Sequence, residues 1–176
     1  FIFNLLIVEI MYKSIFFIAA LFLLSCKTTS YYIVRHAEKA SATTMSGNNM
    51  SGDVPLSDAG KQRAEALKEV LQKENIKHIF STNYIRTKST AQPLADAIHV
   101  PIEIYDPKDP TFISKLKSLN GNILVVGHSN TVDDLVNGLS GKKEIAGDLP
   151  DSEYGDLFKV KKKGNKISFE KKHFGQ

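Results

Sequence analysis

Between residues 31 and 139 the chain alternates short apolar runs with longer stretches whose apolar residues recur every three or four positions. The runs Tyr31-Tyr32-Ile33-Val34 and Ile123-Leu124-Val125-Val126 contain no polar alternation, the pattern of strands covered on both faces. Ile79-Phe80 predicts a further short strand. Pro101 to Tyr105 predicts an edge strand, where a missing backbone donor is tolerated. Helical spacing places Ala64, Leu67, Val70 and Leu71 on one face of a helix from about Asp58 to Lys73, with Ser57 as its N-cap. Helices are also expected from about Tyr84 to Ile98, kinked at Pro93, from Phe112 to Leu119, and from Thr131 to Leu139, the last closed by Gly141. This alternation defines an α/β chain, a three-layer, doubly wound, mostly parallel sheet with helices on both faces. The end differs in kind. Tyr154 to Lys162 and Lys166 to Phe174 alternate apolar residues with lysine around Gly164-Asn165, which predicts a C-terminal β-hairpin with one solvated face.

The first 26 residues follow another pattern. From Met11 a charged position, Lys13, precedes an apolar run from Ile15 to Leu24 and then Ser25-Cys26, the layout of a secretory signal peptide. The run is shorter than the about 20 residues a permanent membrane span needs. Leu23-Leu24-Ser25-Cys26 resembles a bacterial lipobox, in which the cysteine is acylated and begins the mature chain. Residues 1–26 are therefore expected to be a signal peptide, with 1–10 an overextended gene start, 27–30 a tether and 31–176 the folded domain. The protein is expected in the bacterial envelope, lipid-anchored through Cys26 and facing the periplasm or exterior. An uncleaved anchor or an unmodified Cys26 is the alternative.

Composition narrows the function. At 176 residues with 42% hydrophobic content the chain suits one domain with a sizeable core, expected to be a monomer. A net charge of +4 without an Arg-rich arm gives no support to nucleic-acid binding. Residues 159–172 hold seven lysines and one glutamate; lysines that block edge-to-edge pairing are one explanation, attraction to anionic headgroups the other. His78, His99 and His173 have no partner motif and read as structural or surface residues, and no metal or cofactor is expected.

The candidate chemistry lies at strand ends. Arg35-His36 follows the first apolar run, and ligands of open α/β sheets bind at the carboxyl ends of strands. The guanidinium suits a many-oxygened anion and the imidazole a nucleophile or proton carrier. Gly127-His128-Ser129-Asn130 repeats the arrangement after the central strand, with backbone amides available to an anion. Arg86 falls in the first turn after a third strand end, Ser81-Thr82-Asn83.

With these residues in place, Tyr31–Lys39, Pro55–Leu67, Ser81–Ala91 and Val125–Thr131 together resemble, in order, the motifs of the histidine phosphatase superfamily, the phosphoglycerate mutase-like fold. The resemblance implies that His36 is a nucleophile forming a phosphohistidine and that Arg35, Arg86 and His128 bind the phosphoryl group, with Ser129 as an additional phosphate contact. It implies a metal-independent phosphatase acting on a small phosphorylated substrate. Mutase-type phosphotransfer and non-catalytic binding of a phospho-ligand are the alternatives. Ala37 and Ala42 stand where the mutase branch usually carries Gly and Asn, and Ser129 where the large acid phosphatases place Asp; both departures favour the small phosphatases. A carboxylic acid is needed to protonate the leaving group. Asp53, aimed by Val54-Pro55-Leu56, is the candidate and Asp106 its rival, the 105–112 loop being expected to form a pocket wall. Capping of the helix begun at Ser57 is the alternative role for Asp53. Glu38 and Lys39 are expected to orient the site or to pair with each other.

Overall fold

Tyr31 and Ile33 turn to one side of the first strand and Tyr32 and Val34 to the other, and both sides are buried in separate apolar clusters. That single alternation sets the three layers. In the computed structural model, which describes residues 27–41 and 53–175, the strands are β1 (Thr28–Arg35), β2 (Ile76–Ser81), β3 (Ile102–Ile104), β4 (Asn122–Gly127), β5 (Asp156–Lys163) and β6 (Lys166–His173). The helices are α1 (Asp58–Leu71), α2 (Ile85–Ile98), α3 (Phe112–Ser118) and α4 (Ser129–Ser140). The strands form one mixed sheet in the order β3-β2-β4-β1-β5-β6. The first four are parallel, and β5 and β6 add an antiparallel hairpin beside β1.

One face packs Tyr31, Ile33, Ile123 and Val125 against Phe112 and Leu116 of α3 and Val132 and Val136 of α4. The other packs Tyr32, Val34, Leu124 and Val126 against Leu67 and Leu71 of α1 and Ala91 and Leu94 of α2. Ser57 caps α1 as expected, its hydroxyl accepting from the Gly60 amide at 3.1 Å.

Several boundaries differ from expectation, each for a physical reason. β1 begins at Thr28, so most of the expected 27–30 tether is strand, held by pairing of Thr28 with Lys163 and Thr29 with Lys162. β2 starts at Ile76, because exposed Lys77 and half-buried His78 interrupt the apolar run and shift the register on β4 between the Ile76–Asn122 and His78–Ile123 pairs without ending the pairing. Val70 is 44% exposed; the inner stripe of α1 is Gly60, Ala64, Leu67 and Leu71. Pro93 lies inside α2 without ending it. α4 begins two residues earlier than the periodicity predicts, directly after His128. The expected signal peptide and Cys26 lie outside the described residues.

The three histidines without a motif have local roles. His78 stacks on Phe80 and lies 3.5 Å from Glu103, His99 closes α2 in the left-handed conformation (φ 55°), and His173 contacts Asp156.

Candidate active site

The parallel strands β1, β2 and β4 end at one edge of the sheet, and the register of β1 on β4 sets Arg35 beside Gly127. His36 and His128 are the next residues on each strand. The His36 amide donates to the Gly127 carbonyl at 2.9 Å, and the two imidazoles meet edge to face with centroids 5.5 Å apart. Gly127 permits this approach: a Cβ there would stand 2.5 Å from Thr131 Oγ1 and 3.0 Å from the Tyr105 hydroxyl. Arg86, in the first turn of α2, sends Nη2 to Nδ1 of His128 at 3.3 Å. Arg35, His36, Arg86, His128 and Ser129 therefore line one cavity of about 350 Å³.

The hydrogen bonds fix both tautomers. His36 Nδ1 lies 2.8 Å from the Ala37 carbonyl, which can only accept, so Nδ1 carries the proton and Nε2 keeps its lone pair. His128 Nδ1 accepts from Arg86, so Nε2 is the donor, to Thr82 Oγ1 at 2.8 Å. Thr82 passes its own proton to Thr87 Oγ1 at 3.0 Å, and Thr87 donates to the Thr82 and Tyr84 carbonyls. Behind His36, the Ala37 amide donates to Thr90 Oγ1, itself anchored on the Arg86 carbonyl. The nucleophile candidate and one guanidinium thus share a support on α2.

Electrostatics reinforce the neutral state. Burial, with the charges of Arg86 and Arg35, lowers the pKa of His36 from the ordinary value to about 4 against the raising effect of the Ala37 carbonyl. His128 is lowered to about 4, first by burial and then by Arg86 and Arg35, with Asp53 opposing.

Arg35 is only 6% exposed and is clamped by a segment the strand-end motifs do not indicate. Its Nη1 donates to the Pro150 carbonyl at 2.8 Å and the Glu153 carbonyl at 3.1 Å, and its guanidinium lies 4.3 Å above the Tyr154 ring. The register of β5 explains this: Val34 pairs with Leu157, so residues 150–154 must pass the end of β1. Lys39, Tyr84, Lys108 and Asp151 also line the cavity. Tyr84 packs its ring on His128 and under Arg86. Only its place beside Arg86 in the third motif hinted at Tyr84; nothing local in sequence marks Asp151 or Tyr154.

Neither expected proton donor is among the described residues that line the cavity. Asp53 accepts the Ile85 amide at 2.8 and 3.0 Å and lies 3.7 Å from Arg86, so it caps α2, not the helix begun at Ser57, and orients the arginine. Asp106 is exposed and accepts the Lys108 amide in its own turn. Among the described residues lining the cavity, Asp151 carries the carboxyl group. Glu38 pairs with Arg63 rather than with Lys39, through bonds of 2.9 Å from Nε and 2.6 Å from Nη2. Burial opposes the Glu38 carboxylate, but Arg63 holds its pKa below the ordinary value. The 105–112 segment does form a wall, of an adjoining cavity of about 420 Å³ that includes Tyr105, Pro107, Pro110 and Phe112. Among the described residues no three His, Cys, Asp or Glu side chains gather as a metal site requires.

Residues 31–107 match the family model described as histidine phosphatase superfamily (branch 1). No curated protein sequence matches the chain significantly. Among solved structures, it is similar to the protein assigned as the phosphohistidine phosphatase SixA of Agrobacterium tumefaciens, at 19% identity and a TM-score of 0.64 over 84% of this chain and 99% of that one. It is similar to phosphoglycerate mutase from Bacillus anthracis at 16% identity and TM-score 0.61, over 82% of this chain and 92% of that one. It is also similar to a mycobacterial glucosyl-3-phosphoglycerate phosphatase at 12% identity and TM-score 0.55, over 84% of this chain and 98% of that one. The solved structures share this chain's fold, and the match to the family model covers 77 of its 176 residues, Tyr31 to Pro107.

Proposed function

We propose that this protein is a phosphatase that hydrolyses small phosphate monoesters through a phosphohistidine on His36. The observation that carries this reading is the Nδ1 bond to the Ala37 carbonyl, which leaves Nε2 of a buried, neutral imidazole as the nucleophile among guanidiniums. In the first step the Nε2 lone pair attacks phosphorus while the ester P–O bond breaks and its electron pair leaves with the alcohol oxygen, which takes up a proton. In the second, water attacks the same phosphorus, the P–N pair returns to His36, and inorganic phosphate departs. Arg35 and Arg86 offset the charge spread over the equatorial oxygens. A bound phosphate dianion draws the Arg86 guanidinium away from His128 Nδ1 and, against the burial and the two guanidiniums that depress His128, favours its protonated form, which then donates through Nδ1. Asp151, which pairs with Arg35 at 3.3 Å and is the carboxyl group among the described residues lining the cavity, is the proposed proton source for the leaving oxygen.

The test is to trap the intermediate. Wild-type protein should turn over p-nitrophenyl phosphate, and an alkaline quench should retain a phosphoenzyme that acid destroys. The His36→Ala variant should show neither. Turnover in that variant above about 1% of wild type would overturn the mechanism, since loss of a nucleophile costs several orders of magnitude.

The proposed location is the cell envelope, with Cys26 acylated. Metabolic lipid labelling should vanish in Cys26→Ala; label retained there, or a cytoplasmic pool of wild-type protein, would remove the anchor from this reading.

A further inference from the structure

The lysines of the C-terminal hairpin fall into two sets that the sequence does not distinguish. Near the end of the sheet that carries the cavity, Lys171 pairs with Asp156 at 2.8 Å and Lys172 with Glu170 at 3.3 Å. Midway, Lys159 reaches Glu74, which already accepts from the Tyr32 hydroxyl. At the opposite end, Lys161, Lys162, Lys163 and Lys166 have no ion pair among the described residues. A role limited to solubility or edge protection gives no reason for this division. The unpaired set surrounds the hairpin turn at Gly164-Asn165.

The register then locates that set. Thr28 pairs with Lys163, Thr29 with Lys162 and Ser30 with Lys161. The turn therefore lies beside the first described residues, where the chain arrives from its apolar leader. Exposed Lys77 is the second residue of β2 at the same end, its side chain over Gly121. Arg35 stands seven residues further along β1 from Thr28, roughly 23 Å away at the rise of an extended strand. The cationic end and the cavity are at opposite ends of one strand.

We propose that this end of the sheet is a docking surface for an anionic lipid bilayer, with the phosphate cavity held facing away into the aqueous phase. Each basic side chain near an anionic surface adds attraction that falls off within a Debye length, so the surface needs its lysines free of carboxylates and close to the membrane. The first condition is met at the hairpin turn among the described residues, and the second rests on the proposed anchor at Cys26. Apolar or zwitterionic surfaces offer these lysines nothing, and neutralising them against protein carboxylates would abolish the effect. The surface is independent of the phosphatase chemistry and is tested without it.

The experiment is co-sedimentation of the full chain with vesicles of phosphatidylcholine alone or with about one third phosphatidylglycerol. The variant K162E/K163E/K166E is compared with K171E/K172E, a charge reversal at the other end of the same hairpin. Wild type should bind the phosphatidylglycerol vesicles more tightly, and added salt should remove the difference. The hairpin-turn variant should lose at least about tenfold in binding to them, with phosphatidylcholine binding and turnover of p-nitrophenyl phosphate unchanged. The control variant should change by less than about threefold. Equal binding of wild type to both vesicle types, or equal losses in both variants, would overturn the proposal. So would a DNA duplex that binds as tightly as the anionic vesicles, since the patch would then recognise polyanions in general.

Discussion

The Nδ1 proton of His36 is bound by the carbonyl of Ala37, its own neighbour in sequence, at 2.8 Å. The bond leaves the lone pair on the second nitrogen, not the first, and it costs no other group of the site.

The pH response follows from this arrangement. His36 and His128 are both lowered to about 4 in the folded protein, against an ordinary value of 6.5. Between pH 6.5 and 4 the unfolded chain therefore binds protons that the folded chain refuses, so stability falls as the pH is lowered through that window. Thermal melts of wild type between pH 7 and 4 should show a decreasing Tm, and His36→Gln should flatten the slope. The free protein's nucleophile stays neutral from pH 7 down to about 5, so kcat/KM for p-nitrophenyl phosphate should lack an acid limb near 6.5. An acid limb centred there would mean that His36 is more solvated than its burial implies.

Asp53 and Asp151 should separate cleanly in kinetics. Asp53→Asn keeps an oxygen for the Ile85 amide but removes the negative charge beside Arg86, so it should cost less than about 1 kcal/mol of stability and slow alkyl and aryl phosphates equally. Asp151→Asn should slow alkyl phosphates at least about tenfold more than aryl phosphates, whose leaving groups depart without a proton. A selective alkyl loss in Asp53→Asn, with none in Asp151→Asn, would return Asp53 to the role of acid.

Removing the Arg86 guanidinium by Arg86→Ala should lower kcat by roughly 10²-fold, the cost of one preorganised charge donor. The variant also frees His128 Nδ1 and removes a positive neighbour, so the His128 resonance in NMR should titrate at a higher pH than in wild type. An unchanged His128 titration would show that the two side chains are not coupled.

Gly127→Ala should be damaging out of proportion to its size. The new methyl meets Thr131 Oγ1, whose hydroxyl accepts the His128 amide at 2.8 Å, so relief of the clash must move His128. Stability should drop by about 1–3 kcal/mol, as for overpacking elsewhere, and kcat should fall with it. Calorimetry and turnover on one preparation would read both, and wild-type turnover in a destabilised variant would disconnect Gly127 from the site.

Much of the molecule is legible in the sequence because the signals are local. Uninterrupted apolar runs at 31–34 and 123–126 require cover on both faces, which already implies helices on two sides of a parallel sheet. Arg35-His36 and Gly127-His128 each end such a run and Arg86 opens the helix after a third strand, so the fold need only align the strand ends to gather them. The remaining features are contacts between distant segments, and no local periodicity encodes those. Clamping of Arg35 by residues 115 to 118 positions away depends on β5 entering antiparallel beside β1. Asp53 caps α2 because Lys39 and Leu56 bridge and close the loop between them, which carries residue 53 to a helix 32 positions on. Glu38 finds Arg63 because Gly60 lets α1 lie against the Glu38 backbone. The lysines of 159–172 are alike in sequence, and only the strand register decides which meet a carboxylate and which stand free at the far end of the sheet.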